Sequence, residues 1–179
     1  HQSKTLYTGV EVDAETSTHV NWFNYQRNSQ LAKALENLSV TELMKFEWEN
    51  IPLGTLCLPG LRWVLRIHHL NDDESTRYLL REYILSAWNV VQKFSKLLDE
   101  TNPRAVIVFN GQFFPEATAR YVAQKRGIRV ITHEVGLQPS TAYFTEGEAT
   151  AYPIQIPDEF EMNAEQNARL DAYLAKRFQ

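Results

Sequence analysis

Apolar residues recur at spacings of three and four through Leu31, Ala34, Leu35 and Leu38, which predicts a helix opening after Asn28-Ser29. A second helical patch, Glu42 to Trp48, ends before Pro52 and Gly54. Pro59-Gly60 then reads as the opening of a segment in which Leu61, Val64, Leu65 and His68 share a face. The longest periodic stretch runs from about Glu74 to Leu98: Leu80, Tyr83, Ile84, Ala87, Trp88, Val91, Phe94 and Leu98 hold helical spacing, with Asp72 or Asp73 as cap. Tyr83, Ala87 and Trp88 are expected to be buried. Asn102-Pro103 ends the helix, because proline restricts the residue before it and offers no N–H.

The pattern then changes period. Ala105 to Phe109 is a continuous apolar run between turn formers, the signature of a strand buried on both faces. Asn110-Gly111 ends it, Pro115 suits the first turn of a helix over Phe114 to Arg126, and Gly127 is its stop. Ile128 to His133 reads as a second strand, so 105–136 forms a βαβ unit with parallel strands. Downstream, Ala142 to Thr145 and Ala149 to Tyr152 flank Glu146-Gly147 as the arms of a hairpin, and Asn163 introduces a last helix. Upstream, only Leu6-Tyr7 and Val10 to Val12 suggest extended structure. The expected fold class is α/β: a Rossmann-like parallel sheet flanked by helices, preceded by a helical segment, in one domain over 1–179.

Composition narrows the classes. With 44% hydrophobic and 22% charged residues the chain resembles an ordinary globular protein, which argues against disorder. Eighteen Lys+Arg against 22 Asp+Glu leave no global basic field, so nucleic acid is not an expected partner. The single cysteine, Cys57, sits among leucines as a buried thiol would. No apolar run reaches the roughly 18 residues of a membrane span, and the N-terminus lacks a signal-peptide pattern; a cytoplasmic, soluble protein is expected. His1 and Gln179 both read as cut ends, with 163–179 the start of a helix leading to a second domain.

Candidate chemistry lies where parallel strands end, since loops there diverge into a crevice. After the first strand, Asn110, Gly111 and Gln112 offer close backbone approach and two amides for a polyhydroxyl substrate; the competing reading is a tight turn with a cap. After the second come His133, Glu134 and Gly136. Either His133 or Glu134 could take a proton from a hydroxyl, the alternative being a structural ion pair. Neighbouring strand residues face opposite ways, so the two act jointly only if the strand has ended before them. His68-His69 lacks a metal-ligand spacing, and no Asp-x-Asp, Walker loop, dinucleotide glycine fingerprint or nucleophile elbow is present; no metal or cofactor is expected. Leu53 to Leu70 mixes leucines, Trp63 and arginines, either as a packed helix or as a peripheral membrane contact.

The stretch VIVFNGQFFPEATARYVAQKRGIRVITHEVG, Val106 to Gly136, resembles the acceptor-side (N-terminal) domain of bacterial surface- and capsular-polysaccharide glycosyltransferases of the GT-B type. The likeness rests on Asn110-Gly111, the Ala-rich helix with Arg120, Gly127-Ile128, and His133-Glu134 before Gly136, and extends upstream through Pro52-Leu53-Gly54 and Leu61-Arg62-Trp63 and downstream to Gly147. It implies transfer of a sugar from a nucleotide-sugar donor to a carbohydrate or lipid-linked hydroxyl, without a dedicated metal and with the donor held mainly by a C-terminal domain absent from this chain. On that reading residues 1–179 alone are inactive. The alternative is a noncatalytic flavodoxin-like sensory or scaffold domain, or a small-molecule-binding module using the same loops; the paired acidic residues of a receiver domain are not found.

Overall fold

The structure, a computed structural model, describes residues 25–136, 140–150 and 156–177. The extended pattern at Leu6-Tyr7 and Val10 to Val12, and the far arm of the expected hairpin beyond Thr150, lie outside them.

Among the described residues, four helices precede the sheet: α1 (Ser29–Leu35), α2 (Val40–Met44), α3 (Leu53–Leu65) and α4 (Glu74–Thr101). Each of three N-termini is closed by the residue type that accepts free amides there. The Asn28 side chain accepts from Leu31 N–H at 2.9 Å, Ser39 and Glu42 form a reciprocal capping box, and Asp73 accepts from Thr76 N–H at 2.8 Å. Helix α4 ends on Asn102 in the left-handed region (φ 42°), directly before Pro103. Its buried stripe of Leu80, Ile84, Ala87, Val91, Phe94 and Leu98 packs in one core with Leu31, Leu35, Leu43, Leu53 and Leu61 of the other helices. Ala87 and Trp88 are buried as expected, while Tyr83 is half-buried with its ring 5.4 Å from that of Phe114.

Helix α3 departs from the sequence reading. Pro59-Gly60 does not open it but lies inside it. An interior proline removes one hydrogen bond and crowds the carbonyl four residues back, at about 3 kcal/mol. The helix continues because Leu53, Cys57 and Leu61, four residues apart and fully buried, carry one apolar stripe through the proline. It closes at Arg66, left-handed at φ 59°, so His68 falls beyond the helix and does not share a face with Leu61. Burial pushes the Cys57 thiol far above its ordinary range. We expect no reaction of native protein with an aromatic disulfide reagent over minutes, and one thiol equivalent in denaturant; rapid native labelling would contradict the packing of α3.

Next come β1 (Ala105–Phe109), α5 (Glu116–Lys125) and β2 (Arg129–Val135). The two strands are parallel neighbours, Ala105 opposite Arg129 and Phe109 opposite His133, as the βαβ reading requires. The third strand, β3 (Ala142–Thr145), pairs antiparallel with β2, with Val135 opposite Ala142 and Thr132 opposite Thr145. The first arm of the expected hairpin thus pairs with β2, while the second arm, Ala149 to Tyr152, lies outside the described residues beyond Thr150. The reversal between β2 and β3 follows Val135, where β2 ends. Gly136 N–H donates to the Thr141 carbonyl at 2.8 Å, and a Cβ on Gly136 would lie 2.0 Å from Thr141 Oγ1. The molecule is therefore α/β, and its described residues form a three-stranded mixed sheet in the order β1-β2-β3 flanked by helices.

The expectation that β1 is buried on both faces is overturned. Val108 is buried, but Ile107 is 62% and Phe109 45% exposed. Among the described residues a single helical layer covers one face, and alternate side chains of an edge strand then meet solvent on the other. Phe109, His133 and Phe144 form a row of rings there, with centroids 5.4 and 5.7 Å apart. The last helix, α6 (Ala164–Arg177), is introduced by Asn163, whose side chain and that of Gln166 each accept the other's backbone N–H at 2.9 Å. It buries no residue. No helix among the described residues is long and apolar enough to cross a membrane.

Candidate functional site

The carboxyl ends of β1 and β2 meet at Asn110, which is 4% exposed and left-handed at φ 59°. Asparagine tolerates that conformation because its short side chain bonds locally. Here Oδ1 accepts from Gln112 N–H at 3.1 Å. The backbone N–H donates to the His133 carbonyl at 2.7 Å, and the carbonyl accepts from Ala149 N–H at 3.2 Å. The remaining donor, Nδ2, reaches Glu134 Oε2 at 2.8 Å. Asn110 is thus both the turn that the sequence suggested and the group that fixes Glu134. The second carboxylate oxygen, Oε1, accepts from Val135 N–H at 2.8 Å. Each oxygen retains a lone-pair direction for a further donor.

Gly111 follows at φ 83°, where a side chain is strained and also obstructed: a Cβ would stand 2.7 Å from Thr132 Cγ2 and 3.3 Å from Arg120 Nη1. Beyond it, Gln112 Nε2 donates to Glu148 Oε2 at 2.7 Å, and Arg120 Nη2 donates to Glu148 Oε1 at 2.9 Å. These three side chains border a cleft of about 310 Å³ between α3 and α5, closed by Leu56, Pro59 and Tyr121. Arg120 Nη1 is buried without a partner. The Gln112 amide and Arg120 hold the Glu148 carboxyl below its ordinary pKa, against partial burial that raises it.

A depressed carboxyl contributes stability that is fully present above its unfolded pKa, about 4.3. The contribution is lost as pH falls through the lower folded value. Glu148→Gln should be less stable than wild type by about 1 kcal/mol at neutral pH, a modest figure because the carboxylate is 41% exposed. The two denaturation midpoints should converge at acid pH; a gap independent of pH would refute the tether.

The structure brings together Asn110, Gly111, Gln112 and Glu134 and leaves His133 apart. Because β2 continues to Val135, His133 and Glu134 lie within the strand and face opposite sides of the sheet. His133 sits between Phe109 and Phe144 on the uncovered side. Gly136 serves the close approach of the chain to Thr141. His68 and His69 are exposed, their rings 4.9 Å apart, and among the described residues no group of three or more His, Cys, Asp or Glu is arranged to hold a metal ion. Glu148 was not anticipated, and Arg120 only as part of a resemblance. Comparison of the chain with protein-family profiles, curated proteins and solved structures gives no match.

Proposed function

We propose that this chain is the acceptor-side unit of a glycosyltransferase that moves a sugar from a nucleotide-sugar donor to a carbohydrate or lipid-linked hydroxyl. The observation that carries the reading is the Glu134 carboxylate, held by a 2.8 Å bond from buried Asn110 at the carboxyl ends of adjacent parallel strands. A carboxylate so fixed can accept the proton of an acceptor hydroxyl as its oxygen attacks the anomeric carbon and the nucleoside diphosphate departs. Neutralisation of the diphosphate falls to groups outside these residues. In the enzyme joined to its donor-binding half, Glu134→Gln should lower kcat per folded molecule by roughly 100-fold or more, since the amide is nearly isosteric but not basic, with a somewhat lower thermal midpoint because its NH2 must face the N–H of either Asn110 or Val135. Wild-type turnover in that variant would sink the assignment.

One observation favours a second reading, a self-contained binding module: the cleft beside Gln112, Arg120 and Glu148. Calorimetry separates the two. Residues 1–179 should bind nucleoside diphosphates weakly or not at all and turn over no nucleotide sugar; micromolar affinity would favour the module.

A further inference from the structure

The end of α3 presents an exposed cluster of a kind that folded chains normally cover. Trp63 is 58%, Val64 54% and Ile67 41% exposed. Arginines flank them: Arg66 lies over the Trp63 ring, its guanidinium carbon 5.6 Å from the centroid, and Arg62 is half-buried beside it with Nε lacking a partner. Six arginines among the described residues are in ion pairs with carboxylates. Neither Arg62 nor Arg66 is. The cluster therefore combines an uncovered tryptophan, two aliphatic side chains and two uncompensated cations within one turn and a half of chain.

We propose that this cluster is a peripheral docking surface for an anionic lipid bilayer. Tryptophan is the side chain best suited to the headgroup boundary, with an apolar ring and one N–H to satisfy. Valine and isoleucine beside it add apolar area that enters the acyl boundary, and arginines reach the lipid phosphates. A nucleic-acid surface would use the cations but leave Val64 and Ile67 wet. A protein partner would use the apolar groups, yet the unpaired arginines favour a dense anionic surface. The Trp63 ring is also 5.4 Å from that of Phe113, the residue after Gln112. Docking here would bring the loop of the candidate site to the headgroup layer. The inference does not rest on glycosyl transfer, because vesicle partition is read without turnover.

The test is co-sedimentation of residues 1–179 with phosphatidylcholine vesicles, with and without about one third phosphatidylglycerol, at about 1 mM lipid. Binding is expected to the anionic vesicles alone and to weaken as salt rises. Arg62→Gln and Arg66→Gln should each reduce partition roughly fivefold, and Trp63→Ala roughly tenfold. The blue shift of tryptophan emission on vesicle addition should vanish in Trp63→Phe. These side chains are largely outside the core, so circular dichroism should be unchanged; if Trp63→Ala does not fold, Arg66→Gln and Ile67→Asp carry the test. Absence of binding to anionic vesicles at low salt, binding insensitive to these substitutions, or equal binding to neutral vesicles would overturn the proposal. So would vesicle-free self-association abolished by Trp63→Ala, which would assign the cluster to a second copy of the chain.

Discussion

Gly54→Ala should destabilise the protein by about 3 kcal/mol or more, although helix propensity alone gives the opposite sign. Gly54 lies in the first turn of α3 and has no positive φ, so alanine would ordinarily favour the helix by up to about 1 kcal/mol. The neighbouring chain decides otherwise. A Cβ at this position would stand 2.0 Å from the Leu43 carbonyl oxygen and 2.8 Å from the backbone of Met44. Those atoms belong to helix α2, whose residues Val40 and Leu43 are buried in the core, and Gly54 N–H donates to the Phe46 carbonyl at 3.0 Å. Backbone cannot rotate aside as a side-chain tip can, so α2 and α3 must separate and loosen the packing of Leu43 and Leu53. Gly60, in the same helix, is the control. A Cβ there meets nothing nearer than Phe114 N at 3.6 Å, ordinary contact, so Gly60→Ala should be neutral or stabilising by up to about 1 kcal/mol. Urea denaturation of both variants reads the difference, and a Gly54→Ala protein as stable as wild type would show that α2 does not hold its position.

Much of this fold was legible because punctuation and pattern agreed. Ala105 to Phe109 is apolar throughout and bracketed by Pro103 and Asn110-Gly111, and the strand occupies those residues. Asp73 and Asn102-Pro103 likewise bracket α4. Reading failed where a long-range contact outweighed a local signal. Pro59 marks a helix start by local rules, but the buried stripe of Leu53, Cys57 and Leu61 holds the helix through it. Glu134 looks like the residue after a strand, yet pairing with Tyr143 extends β2 past it and turns His133 to the other face. That pairing could not be read from spacing, since β3 is only four residues long. Apolar content predicted burial of both faces of β1, but composition does not say how many layers exist to provide it. Within the site, Asn110 and Glu134 were found because each follows or ends a strand. Glu148 was not, because its partners Gln112 and Arg120 are 36 and 28 residues away. The available signal was only a glutamate directly after Gly147, and Arg120 had a competing candidate partner in Glu116, four residues earlier on α5.

Asn110→Asp provides a more searching test of the bond at the centre of the site, because it keeps the shape and reverses the electrostatics. Aspartate tolerates the left-handed φ of 59° and retains the oxygen that accepts from Gln112 N–H. What it loses is the Nδ2 donor to Glu134, so two carboxylates replace an amide and a carboxylate across a 2.8 Å contact. Asn110 is 4% exposed, so solvent relieves little of the repulsion. The loss of a hydrogen bond to a charged group plus this repulsion should cost about 2–4 kcal/mol at neutral pH. The pH dependence follows from the sign of the linkage. In the folded state the pair retains a proton above the ordinary carboxylate range, as closely spaced carboxylates do, whereas in the unfolded chain each titrates near about 4. The folded variant therefore binds more protons than the unfolded one at intermediate pH, and its stability rises as pH falls through the raised value. The penalty should be full at pH about 8 and largely gone by pH about 4.5, when a shared proton restores one donor between the oxygens. Asn110→Ala removes the same donor without adding charge, so its penalty should be nearly constant over that window. Urea midpoints of both variants against wild type from pH 4.5 to 8 decide the matter, and parallel pH profiles for the two substitutions would mean that Glu134 does not face Asn110.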